Sequence, residues 1–195
     1  MAAPVVVEAK IDGTAADFEV DLRTSLSEAN IRIFGRLEEL AATPRVDLEG
    51  EFAHPDLARL LRAADLLDNG APRALAAPVT LNGSAKGELA GLEIVAKLGL
   101  AGGDVAANGR LEGLPGALSV SLATELDHPD LAGLIAGFGL EKPSREMRGP
   151  LAVSARVNGD AQAISALNLS ANLGGSPVLG NLSLALKGVR PELAV

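Results

Sequence analysis

Leu126-Asp-His-Pro-Asp-Leu-Ala-Gly-Leu-Ile-Ala-Gly-Phe-Gly-Leu140 has a near twin upstream, Phe52-Ala-His-Pro-Asp-Leu-Ala-Arg-Leu-Leu-Arg-Ala-Ala-Asp-Leu66. His-Pro-Asp-Leu-Ala recurs at 54–58 and 128–132, 74 positions apart. Behind each copy, Leu57, Leu60, Leu61 and Ala64 map onto Leu131, Leu134, Ile135 and Phe138. This i, i+3, i+4, i+7 spacing is one stripe of an amphipathic helix. Pro55 and Pro129 fit the first turn of a helix, and Asp56 and Asp130 set a carboxylate beside its unsatisfied N–H groups. Each copy reads as a short helix with a marked start.

Working outward, the apolar pattern switches to period 2, the signature of strands with one apolar and one polar face. Val5, Val7, Ala9 and Ile11 open the series; Phe18, Val20 and Leu22, then Ile31 and Ile33, then Val46 and Leu48 continue it. After the first helix come Val79 and Leu81, then Leu92, Ile94, Ala96 and Leu98, then Val105, Ala107 and Leu111, then Leu118, Val120 and Leu122. After the second come Leu151 to Val157, then Leu167, Leu169, Ala171 and Leu173, then Leu182, Leu184 and Leu186, with a last strand near Leu193. Turn chemistry is expected at Asp12-Gly13, Asn82-Gly83, Asn158-Gly159, Ala101-Gly102-Gly103 and Gly174-Gly175-Ser176.

The similarity extends beyond the helices. Leu81-Asn82-Gly83-Ser84 is similar to Val157-Asn158-Gly159-Asp160, with Ile11-Asp12-Gly13-Thr14 as a third copy, and Gly35-Arg36-Leu37 is similar to Gly109-Arg110-Leu111. The expectation is a mainly β protein: one curved antiparallel sheet of about a dozen strands and two short helices. It would be built from repeats of ~75 residues, each with four strands and one helix. One repeat-built domain, 1–195, would hold a partial unit 1–51, a unit 52–125 and a truncated unit 126–195, and would be a fragment of a longer chain.

Composition narrows the function. The chain is 48% hydrophobic yet has only four aromatics (all Phe), so Leu, Ala and Val do the packing. A net charge of -8 without a basic face, and no aromatic platform, argue against a nucleic-acid partner. No cysteine means no disulfide, no thiolate metal site and no Cys nucleophile. No apolar run reaches the ~18 residues of a spanning helix, and the start lacks the features of a signal peptide. A sheet of a dozen strands at ~4.8 Å spacing is roughly 55 Å wide. Two helices of ~18 Å cannot cover its apolar side. Either that side closes on itself, or it stays open as a trough far larger than soluble monomers usually expose.

The alternation, with Asp130-Leu131-Ala132-Gly133-Leu134-Ile135, Gly149-Pro150-Leu151, and Ala171-Asn172-Leu173-Gly174-Gly175 through Leu186-Lys187-Gly188, resembles the AsmA-like family of Gram-negative envelope proteins. A weaker copy runs from Asp56 to Gly113, and together they cover about three quarters of the chain. The resemblance implies a β-rich periplasmic region of an inner-membrane-anchored parent with a role in outer-membrane lipid homeostasis. It further implies an apolar groove along which phospholipids pass.

His54 and His128, the only histidines, invite a metal or general-base reading. No second His or Cys lies within ligand spacing, so both are read as structural helix-start residues, with Pro55, Asp56, Pro129 and Asp130. Asp56 and Asp130 would lie roughly 20 Å apart, too far for paired acid–base work. None of Ser119, Ser121, Ser154, Ser170 and Ser183 lies in Gly-x-Ser-x-Gly, and the glycine-rich 99–104 lacks the Lys-Ser/Thr of a phosphate loop. The charged loop Glu141–Arg148 reads as a solvated connection. No catalytic residue, metal or cofactor is expected. The candidate lipid-contacting residues are Leu92, Ile94, Leu167, Leu169, Leu182, Leu184 and Leu186, with phospholipid acyl chains as the partner. The alternative is a closed structural β-repeat, a scaffold or spacer in the envelope. Unpaired edges are expected to favour edge-to-edge self-association.

Overall fold

The computed structural model describes residues 6–26, 28–63, 72–139, 149–185 and 192–194. Eleven strands of eight to eleven residues and a three-residue twelfth lie side by side in strict sequence order, in one open antiparallel sheet. They are β1 (Val6–Gly13), β2 (Phe18–Leu26), β3 (Ala29–Glu38), β4 (Arg45–His54), β5 (Val79–Glu88) and β6 (Gly91–Leu100). β7 (Gly103–Glu112), β8 (Ser119–His128), β9 (Leu151–Asp160), β10 (Ala163–Leu173), β11 (Ser176–Ala185) and β12 (Glu192–Ala194) follow. Two seven-residue helices interrupt the meander: α1 (Leu57–Ala63) between β4 and β5, and α2 (Leu131–Gly137) between β8 and β9. A 3-10 turn at Arg73–Leu75 follows α1. The described strands form one open sheet, in which the end strands β1 and β12 pair with β2 and β11 alone.

Register follows from the alternation. A slip of one residue would turn every apolar side chain to the polar face. Apolar residues accordingly meet apolar residues at every junction: Leu37 faces Val46, Phe52 faces Leu81, Leu81 faces Leu98, Leu98 faces Val105 and Leu126 faces Val153. The other face adds a ladder of alternating charge. Glu19, Arg36, Asp47, Lys86, Glu93 and Arg110 stand opposite one another on six successive strands. Lys86 Nζ lies 2.6 Å from Asp47 and Arg110 lies 3.6 Å from Glu93, and Arg36 pairs with Glu19. Opposite charges directly across a strand pair favour this register over its neighbours.

Gly35 and Gly109 lie mid-strand with φ of 141° and 156°. A Cβ there would sit about 2 Å from the backbone oxygens of Asp47 and Ser121 respectively. Only glycine fits such a close approach, which explains why Gly-Arg-Leu stands at both places.

The structure corrects three local expectations. Asn82-Gly83 and Asn158-Gly159 are not turns: they lie inside β5 and β9. Gly83 faces Gly50 and Ala96, and a Cβ on it would come within 2.9 Å of Val95 O, so its glycine serves close strand approach. The two dipeptides are not equivalent either, since Asn82 faces Glu51 whereas Asn158 faces Ser121. The β9–β10 turn is held instead by the Asp160 carboxylate, which accepts from the N–H groups of Gln162 and Ala163 at 2.7 and 3.0 Å. Second, Pro55 and Pro129 stand one residue ahead of the capping aspartates, outside the first turn. There each ends a strand by withholding an N–H and keeps the preceding His extended. Third, α2 is ~10 Å long rather than ~18 Å, because it ends at Gly137 and leaves through Gly139 in the left-handed region (φ 74°).

The core sits at one end of the strands. Eight apolar side chains are buried among the described residues. Six of them (Ala29, Ala58, Ala74, Val79, Leu131 and Leu151) lie at the helix-bearing end. Ala74 of the 3-10 turn touches α2, where a Cβ on Gly137 would come 3.0 Å from the Ala74 Cβ. The helices roof that end; at the opposite end Val46 and Leu92 are buried as well, and between the two ends the apolar face is half-buried to exposed.

Candidate functional site: the apolar face of the sheet

The registers arrange the apolar face in rows that run across the strands. The middle row from β4 to β9 is made of small residues: Gly50, Gly83, Ala96, Ala107, Thr124 and Ala155. On its helix-ward side run Phe52, Leu81, Leu98, Val105, Leu126 and Val153. On its other side run Leu48, Ala85, Ile94, Gly109, Leu122 and Val157. The two flanking rows lie four residues apart along each strand, ~14 Å centre to centre. The face is therefore a shallow trough whose floor is one side chain lower than its walls. Above Gly50 the space is open, with nothing within 4 Å of where a Cβ would be. A hollow of about 390 Å³ lies over β3 to β6, lined by Ile33, Leu48, Phe52, Leu81 and Ile94 around the two glycines.

Polarity is kept out of this trough. Thr124 is the one hydroxyl in the middle row between β4 and β9, and it donates to the Ala155 carbonyl at 3.1 Å, leaving its methyl to the face. Leu81 is 41% exposed, and Ile33, Ile164 and Val178 are exposed to similar degrees. Eleven spacings of ~4.8 Å and three rows ~7 Å apart amount to roughly 1,000 Å² of apolar face, above the few hundred Å² typical of the largest patch on a monomer.

The candidate lipid-contacting residues divide. Ile94, Leu169, Leu182 and Leu184 lie on this face and are half-buried. Leu92 is on the same face but only 6% exposed, so it packs within the protein and is not presented to a ligand. Leu167 is on the opposite face, a correction. A bulge at Asn168 (φ 53°) shifts the register of β10, and Leu167 stands opposite Arg156 while Ala166 faces Val157. The Asn181 carboxamide accepts the Asn168 N–H at 2.9 Å and holds the bulge. An extra residue reverses the phase of the strand. Leu186 lies outside the described residues, as do Ala64 and the loop 141–148. The residues that sequence reasoning missed are those of the middle row, whose alignment appears only once strands are paired.

The histidines are buried at the helix-bearing end, His54 2% and His128 8% exposed. His128 Nδ1 accepts the Asp130 N–H at 3.0 Å and Nε2 lies 2.9 Å from the Ala101 carbonyl, an acceptor only. With Nδ1 accepting and Nε2 placed to donate, both ring nitrogens are engaged and neither offers a lone pair to a metal. His54 Nδ1 accepts the Asp56 N–H in the same way. Asp130 and Asp56 in turn accept the N–H groups of Gly133 and Arg59 at 3.0 and 2.9 Å, which fixes the helix starts. Four strand spacings, ~19 Å, separate the two sites.

A larger hollow, about 800 Å³, lies on the polar face around Phe34. Asp21 there receives Arg32 at 3.1 Å and Arg23 at 3.0 Å, and Arg32 lies 4.2 Å over the Phe34 ring. Hydrogen bonds from Arg32 and then Arg23 hold the Asp21 carboxyl down at about 2. These charges are engaged with one another, as in a cross-strand ladder. Among the described residues no cluster of three or more His, Cys, Asp or Glu is placed to hold a metal. Compared with protein-family models, curated proteins and solved structures, the chain matches none.

Proposed function

We propose that this chain is a non-enzymatic, lipid-contacting segment of a periplasmic AsmA-like protein whose apolar face shields phospholipid acyl chains from water. The observation that carries the reading is the trough itself: a middle row of Gly, Ala and one Thr between two apolar rows rich in Leu, Ile and Val, with the Thr124 hydroxyl turned to a backbone carbonyl. Burial of each methylene contributes ~0.8 kcal/mol, and no polar group fixes one position along the row. An acyl chain lying across the strands keeps a similar environment as it advances, so binding and sliding are compatible.

The repeat belongs to the same proposal. Gly13 and Gly87, Gly35 and Gly109, and His54 and His128 are each 74 positions apart, and each pair has matching backbone or hydrogen-bond geometry. Units of four strands and one roofing helix, stacked edge to edge, extend one trough along an array. The parent is placed by the same reading in the periplasm, anchored in the inner membrane and acting in outer-membrane lipid homeostasis.

The test is extraction of the purified chain and mass spectrometry of what accompanies it. The lipid reading expects phospholipid in stoichiometric amounts, lost on Gly50→Leu in a folded variant. A lipid-free, folded protein that also fails to take up phospholipid from vesicles would favour the scaffold.

A further inference from the structure

We propose, on the basis of the lipid reading, that Ile33 is a stop at which the low floor of the trough ends. An acyl chain lying along the floor reaches β3 and goes no further toward β2 and β1.

The middle row changes character at one junction. Gly50 faces Gly83 on one side and Ile33 on the other. Past Ile33 the row runs through Leu22 to Ala9. The floor therefore rises from no side chain to a branched one within a single strand spacing of ~4.8 Å. Ile33 is 38% exposed, so its side chain stands up from the face and is not folded away beneath a neighbour. It forms the β3 side of the hollow of about 390 Å³ over Gly50 and Gly83, which Leu22 and Ala9 do not line. The flank changes too: the β3 residue facing Leu48 is Gly35, so on this strand the middle is high and one side low.

The sheet itself does not demand bulk at these places. Ala96 and Ala107 stand opposite each other on β6 and β7 as Leu22 and Ile33, 74 positions earlier, do on β2 and β3. The same pairing is made with two alanines in one case and with leucine and isoleucine in the other. At the far end Leu169, brought to this face by the bulge in β10, stands beside Ala155. The low floor thus spans β4 to β9, five strand spacings or ~24 Å. One leaflet of a ~30 Å hydrocarbon core gives a chain ~15 Å, so this floor seats a whole acyl chain with room to shift. A chain held at the depth of Gly50 overlaps the Ile33 side chain. To pass, it must climb off the floor and give up the contacts that hold it.

The test uses a phosphatidylethanolamine whose acyl chain ends in a diazirine, carried in phosphatidylethanolamine–phosphatidylglycerol vesicles. After irradiation with the folded protein, adducts are located by peptide mass spectrometry. In the wild type they are expected on β3 to β9, roughly tenfold above β1 and β2, the ratio for about two methylenes losing the floor. Ile33→Ala is expected to carry adducts to Leu22 on β2 and no further. Adding Leu22→Ala should carry them to Ala9 on β1. An advance of one strand per substitution separates a removed stop from lost structure, which would spread adducts over every strand at once. Even labelling of β1 to β9 in the wild type, or no advance in a folded Ile33→Ala protein, would overturn the stop and leave the lipid reading standing. Adducts on no strand would overturn both.

Discussion

Gly50 and Gly83 face each other across β4 and β5 on the apolar side of the sheet, between Phe52–Leu81 on one flank and Leu48–Ala85 on the other. With no side chain on either, they make the lowest point of the trough. Their surroundings differ, however. A Cβ on Gly50 meets open space, whereas a Cβ on Gly83 comes within 2.9 Å of the Val95 carbonyl. Gly50→Leu is expected to fold with unchanged or slightly raised stability, since a mid-strand glycine costs ~0.5–1 kcal/mol. Gly83→Leu is expected to lose ~1–3 kcal/mol. Urea unfolding of the two variants checks the contrast.

The His128 ring bridges a turn, a strand end and a helix start, and replacing it leaves the Asp130 N–H and the Ala101 carbonyl without their partner. His128→Ala is expected to cost ~2–4 kcal/mol. Chelators should leave the wild-type melting temperature unchanged. A chelator-dependent shift would revive the metal reading.

Leu167 and Leu169 are two residues apart yet lie on opposite faces, because the bulge at Asn168 falls between them. Leu167→Lys should stay within ~0.5 kcal/mol of wild type, as surface changes do. Leu169→Lys should both destabilise the protein and reduce phospholipid uptake from vesicles. Equal effects at the two positions would contradict the bulge.

The Asp21 carboxyl titrates at about 2, held down by Arg32 and Arg23. A group whose folded value lies below its unfolded one, here ~3.9, stabilises the fold above the unfolded value. That contribution is lost as pH falls through the folded value. Asp21→Asn should therefore be less stable than wild type at pH 6, with the difference shrinking between pH 4 and pH 2. Carbon-detected NMR of the Asp21 side chain reads the titration directly.

Much of the fold was legible in the sequence because each strand declares its two faces locally. Val46–Leu48 alternates cleanly, Leu92, Ile94, Ala96 and Leu98 hold every second position with Val95 alone out of phase, and His-Pro-Asp marks both helix starts. The bulge was half-legible. Ile164 and Ala166 are in one phase, Leu167 and Leu169 in the other, and the adjacent Ala166-Leu167 marks the break. The Asn-Gly pairs misled because glycine serves close strand approach as readily as a turn, and only pairing decides which. An open trough was one of the two arrangements the alternation allowed, but its floor was not legible: Gly50, Gly83, Ala96 and Ala107 come from four different strands, and nothing along the chain links them until the registers do.

The central claim is that the open face takes up acyl chains, and photocrosslinking tests it most directly. A photoreactive benzoylphenylalanine replaces Leu81 on the trough wall in one sample and Asn82 on the polar face in another. Each folded protein is irradiated with phosphatidylethanolamine–phosphatidylglycerol vesicles and analysed by mass spectrometry. Phospholipid adducts at 81 and not at 82 are the expected result. Adducts at neither position, or equally at both, would contradict the lipid reading.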